Sequence, residues 1–171
     1  MIFQKRLALA MRMLTASLML AAGTAWPQNS PQTPEPKPEP LSAFPQSLLA
    51  IRTSSGKVVN FKVWLADSPR REEQGLMYVH NLDLHAGMLF MFPGNQPVAM
   101  WMKNTYIPLD LLFLDGRGKI DFIAASATPL SEKIIGPPTT EFGVLELKGG
   151  ACDALGIKVG DRVLQENFKA H

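Results

Sequence analysis

Leu109-Asp110-Leu111-Leu112-Phe113-Leu114-Asp115-Gly116-Arg117-Gly118-Lys119-Ile120-Asp121-Phe122-Ile123-Ala124 reads as a β-hairpin. Leu109, Leu111 and Phe113 recur at the two-residue period of a strand. Asp115, Gly116, Arg117 and Gly118 supply turn chemistry, and Ile120, Phe122 and Ala124 return with the same period. The pattern repeats outward along the chain. Val59, Phe61, Val63 and Leu65 share one face of a strand over 57–65, and 48–53 is its partner across Ser54-Ser55-Gly56. Residues 87–92 and 98–103 form another expected pair around Pro93-Gly94-Asn95, and 144–147 and 162–165 add two short strands. Helical signals are few. Ser68 suits a cap, Pro69 a first helical position, Glu72 and Glu73 the positive end, and Gly75 a stop. Residues 151–155 offer one more turn before Gly156. Short strands at this spacing predict a mostly β domain, a sandwich, jelly roll or barrel with one or two short helices.

The ends carry a different message. Lys5, Arg6 and Arg12 precede an uncharged apolar run over 13–22, followed by Gly23-Thr24-Ala25. That layout is a secretory signal peptide over 1–25, cleaved after Ala25, and predicts a periplasmic or secreted protein. The run is short for a span, which needs about 20 apolar residues, although a retained signal would act as an anchor. Residues 26–46 are proline-rich and read as an extended spacer. Residues 47–168 then form a single domain, with 169–171 as a tail.

Charge and cysteine usage narrow the function classes. The chain has 17 basic and 15 acidic residues. Removing the signal takes three basic residues and leaves 14 against 15, a net charge of −1. No basic block remains to follow a phosphate backbone, which argues against nucleic acid. Cys152 is the single cysteine, so no internal disulfide forms, and beside Ala151 it reads as a packed residue rather than a nucleophile. Met77, Met88, Met91, Met100 and Met102 are the methionines of the domain. Thioethers suit Cu(I), which keeps periplasmic copper handling as one alternative, but Met100 and Met102 fall at strand spacing on an expected core face. His80 and His85 lack a nearby third ligand, so no metal site and no cofactor are expected.

The densest chemistry lies between Gly75 and Asp110. Alternation over 98–103 puts Trp101 and Lys103 on one face and Met100 and Met102 on the other. Asn104 adds two donors and an acceptor, Thr105 a hydroxyl, and Asp110 acceptors. An aromatic plate beside oriented polar groups fits a sugar or small polar ligand, so Trp101, Lys103, Asn104, Thr105, Asp110 and Glu146 are the candidate ligand residues of a binding or accessory module. The same residues also have a purely structural explanation: Asn104-Thr105 shapes a turn and Lys103 pairs with Asp110. A third alternative is an enzyme using Lys103 with Asp110 or Glu146 as acid and base.

Gly75-Leu76-Met77-Tyr78, Gly87-Met88-Leu89-Phe90, Trp101-Met102-Lys103-Asn104-Thr105 and Ile107-Pro108-Leu109-Asp110 form an ordered set of motifs. Pro129-Leu130-Ser131-Glu132, Val144-Leu145-Glu146-Leu147 and Gly156-Ile157-Lys158-Val159-Gly160-Asp161 extend it. The set resembles the family catalogued as domain of unknown function 192, small bacterial and archaeal domains that are often exported. The resemblance covers the whole domain after the proline-rich segment. It implies a compact, mostly β fold of sandwich or jelly-roll type and no established activity, so no catalytic residue is carried over. Val79 departs from the basic residue that often follows the Gly-Leu-Met-Tyr motif, which weakens any anion contact there.

Overall fold

The structure is a computed structural model that describes residues 37–165 and 168. The expected signal peptide and most of the proline-rich segment lie outside those residues. A 3-10 turn, Leu41–Ala43, leads into β1 (Gln46–Arg52) and β2 (Val58–Ala66). Helix α1 (Pro69–Gln74) and a loop connect to β3 (Ala86–Pro97). β4 (Leu109–Leu114) and β5 (Ile120–Ala127) form the hairpin, β6 (Thr140–Lys148) and α2 (Ala151–Leu155) follow, and β7 (Arg162–Leu164) closes the order. The seven strands make one curled half-barrel sheet, β5-β4-β6-β3-β2-β1-β7. At one end Val163 N–H donates to Gly118 O and Ile120 N–H to Asp161 O, which draws the two edges of the sheet together.

Each face of the sheet has its own core. Leu49, Ile51, Phe61, Leu89, Leu112, Leu145 and Leu147 fill the enclosed face with Cys152 and Leu155 of α2. Met88, Phe90, Leu109, Leu111, Phe113 and Val144 point the other way, under Leu76, Leu82, Val98, Met100 and Met102. Every residue of β4 is buried, as expected for a strand covered on both faces. Each fully buried Leu or Phe contributes about 1.5–3 kcal/mol.

Three local expectations change. Residues 98–103 are not a strand of the sheet. β3 pairs instead with β2, in parallel through the α1 crossover, and with β6. Residues 98–103 lie across the second core, bonded to 131–135 through the Met100–Ile135 bridge and through Met102 N–H to Ser131 O at 2.8 Å. Their alternation is as expected, with Val98, Met100 and Met102 buried, because the segment still divides a core from solvent. In the hairpin the register slips between Phe113 and Leu114, which sends Ile120 to the enclosed face while Phe122 stays with Phe113. At α1, Ser68 accepts through its carbonyl from Glu72 N–H at 2.8 Å, and its side chain makes no cap.

Residues 38–46, assigned above to the spacer, are fastened to the domain. Glu39 N–H donates to Gln74 Oε1 at 2.7 Å, and Gln74 Nε2 donates back to Glu39 O at 2.8 Å. Arg71 Nε lies 3.1 Å from the Glu39 carboxylate, and Phe44 is buried in the second core. Among the described residues no helix is long and apolar enough to cross a membrane.

Candidate functional site

Three loops meet over the second core, and four of their residues, one of them glycine, have positive φ. Gly75 ends α1 with φ 51°, and Tyr78 follows at φ 65°. Asn104, at φ 55°, turns the chain after Lys103, and Leu130 sits at φ 59°. Asparagine tolerates this region, whereas tyrosine and leucine are held there only by their surroundings. Cross-loop bonds do the holding. Tyr78 N–H donates to Asn104 O at 2.9 Å, and Leu130 N–H to Thr105 O at 3.1 Å. The Asn104 amide donates to Tyr78 Oη at 3.0 Å and lies 4.0 Å from Met77 Sδ.

This scaffold presents aromatic rings to solvent. Tyr78 is 36 % exposed and Tyr106 42 %. Their rings meet edge to face at 6.1 Å, and the His80 ring lies against Tyr106 at 4.8 Å. Trp101 and Lys103 are half-buried neighbours in sequence, with Lys103 Nζ 5.4 Å above the Trp101 ring.

The other candidate residues are elsewhere. Thr105 is 5 % exposed and donates to Lys103 O at 3.3 Å, a turn-shaping bond. Asp110 is fully buried on the enclosed face, and its carboxylate accepts from three backbone amides. Gly150 N–H (3.0 Å) and Ser126 N–H (2.8 Å) reach Oδ1, and Cys152 N–H (2.8 Å) reaches Oδ2. It thus ties the start of α2 to the β5 bulge, where Ser126 has φ 47°. The ion pairs among the described residues do not include Lys103 with Asp110. Burial pushes the neighbouring Cys152 thiol up, and the Asp110 charge adds to the shift, so the thiol stays protonated and unreactive.

Glu146 lies on the opposite face from Asp110, since β6 sets Leu147 beside Asp110 and Glu146 beside Leu111. It is 5 % exposed, and its second neighbour across β3 is Met88. Burial in this apolar setting raises its carboxyl to about 7, opposed in part by a bond from Leu76 N–H. Oε2 has no hydrogen-bond partner among the described residues. Asp110 and Glu146 therefore cannot act on one ligand, and neither reaches the aromatic surface as an exposed group. Burial likewise raises Glu141, whose Oε1 accepts from Thr139 Oγ1 at 2.6 Å.

Tyr78, His80, Tyr106 and Leu130 are absent from the candidates read in the sequence. Two tyrosines flanking the motifs were the available signal, but the backbone bonds that bring them together join loops distant in sequence. The methionines divide between faces: Met88, Met100 and Met102 belong to the second core, while Met91 packs against the enclosed one. A separate shallow groove of about 390 Å³ runs beside β5, lined by Phe122, Ala124, Ser126, Lys133 and Ile135 among others.

Two crystal structures resemble this fold. A protein from Sinorhizobium meliloti 1021, described provisionally as a transcription regulator, is 42% identical, with 71% of this chain and 94% of that one covered and a TM-score of 0.69. A protein of unknown function from Novosphingobium aromaticivorans DSM 12444 is 32% identical over 74% of this chain and 90% of that one, with a TM-score of 0.70. No curated protein matches the sequence. Residues 50–165 match the model of the family described as an uncharacterised ACR, and the chain belongs to this family, domain of unknown function 192.

Proposed function

We propose that this is an exported binding or accessory module that holds a small polar ligand, of which a sugar is the best fit, on the surface formed by Tyr78, His80, Asn104 and Tyr106 with Trp101 and Lys103. One observation carries the proposal. Two exposed tyrosines and a histidine are clustered around Tyr78 and Asn104, whose left-handed backbone persists only where surrounding contacts fix it. Aromatic plates suit the apolar face of a sugar ring, and the amide and ammonium suit its hydroxyls. Export rests on the N-terminal layout read above. The enzyme alternative loses its Asp110 form, because that carboxylate is engaged by amides, and keeps only Glu146. The copper alternative is weakened by the division of the methionines between faces. Nucleic acid is not favoured, since the mature chain lacks a basic run.

The test is a saturation-transfer panel of glucose, galactose, N-acetylglucosamine and galacturonate, repeated with Tyr106→Ala and Asn104→Ala. Transfer to at least one sugar, lost in Tyr106→Ala at unchanged melting temperature, is the expected result. No transfer at millimolar sugar, or transfer indifferent to both changes, rejects the reading.

A further inference from the structure

We infer that Glu146 is a proton-operated switch beneath this surface, whose carboxyl sets the position of Leu76 and, through the loop, the Tyr78–Asn104 contact. The inference rests on the reading of that surface as the binding face, but its test uses no ligand, so the two fail separately.

The geometry is a short lever. Leu76 N–H donates to the carboxyl, and two residues on, Tyr78 donates its own N–H to Asn104 O and accepts at Oη from the Asn104 amide. On the other side of the carboxyl, Oε2 has no partner among the described residues. A neutral acid tolerates this arrangement at modest cost. An ionised one does not, because a buried carboxylate with one donor demands more. Further donors must come from amides of the 75–78 loop or from water admitted beneath it, and either moves the loop.

Gly75 leaves that space open. A Cβ there would stand 3.7 Å from Oε2 and 3.3 Å from Phe90 Cζ, so only glycine combines this close approach with φ 51°. Among the described residues its strand neighbours are apolar, Met88 from β3 and Leu111 from β4, with Phe90 and Leu76 in the same core. No charged group lies within ion-pair distance of Glu146 among the described residues. The titration falls near pH 7, where a small change in the surroundings alters its state. The histidine of the surface, His80, lies on the Tyr106 ring.

The experiment is a pH series of amide spectra of the ¹⁵N-labelled full chain, comparing the natural protein with Glu146→Gln and His80→Asn. Glu146→Gln copies the neutral carboxyl in size and shape and so keeps the fold. The expected result is that the Leu76, Tyr78 and Asn104 amides shift together with one midpoint near 7, that His80→Asn keeps the shift, and that Glu146→Gln abolishes it and fixes the low-pH positions. A shift that survives Glu146→Gln, one that disappears in His80→Asn, or no common midpoint overturns the switch.

Discussion

Replacing Asp110 with Ala strands three backbone N–H groups at the junction of α2 and the β5 bulge. The expected loss is on the order of 3 kcal/mol, read from denaturant unfolding, since each stranded buried group costs about 1–3 kcal/mol and the three are coupled. Lys103→Ala removes only the contact over Trp101, so it is expected to cost no more than about 1 kcal/mol. Equal losses for the two would mean that Lys103 carries structure not seen here. The importance of Lys103, Asn104 and Asp110 is visible in the sequence because polar groups among Leu, Met and Phe need partners. Which partners they find is not visible: Asp110 is served by amides 16 to 42 residues away, and those meet it only once the sheet has curled.

β3 shows the same limit at the scale of an element. Its apolar run is legible, yet 98–103 stands next to it in sequence and looks like its hairpin partner. The parallel pairing with β2 and the antiparallel one with β6 instead depend on a crossover and on a strand some fifty residues on, roughly, which no local period encodes. Gly87 marks how closely these strands approach: a Cβ there would lie 2.4 Å from Glu146 O. Gly87→Ala is expected to destabilise by about 1–3 kcal/mol, as overpacking does, with the loss visible as a lower unfolding midpoint at unchanged slope. An unaltered midpoint would show that β3 and β6 can separate without cost. The pairing of β4 with β5 and of β1 with β2, and the positions of both helices, follow their local signals, because turn chemistry and adjacency act in the same direction there; the hairpin's bulge and the Ser68 cap do not.

The whole molecule has a pH dependence of definite sign. Glu146 is raised from 4.5 to about 7 in the folded state by burial, so the folded chain holds a proton that the unfolded chain releases first. Its contribution is complete below about pH 4.5 and declines as pH rises to about 7, by roughly 3 kcal/mol across that window. Glu141 is raised for the same reason and acts in the same direction. Unfolding free energies measured from pH 4 to 8 are expected to fall through this window, and Glu146→Gln to remove most of the slope. A natural protein whose stability rises over that range would contradict the burial of a neutral carboxyl.

We propose that the binding surface lies over Tyr78, Asn104 and Tyr106, whereas Asp110 braces three backbone amides on the other face. Amide shift mapping of the ¹⁵N-labelled chain against N-acetylglucosamine and galacturonate tests it most directly. Perturbed amides over 76–80 and 101–106, with those of Gly150 and Cys152 unmoved, are the expected result. Perturbations centred on the β5 groove at Ser126 and Lys133, or none with either sugar, would contradict it.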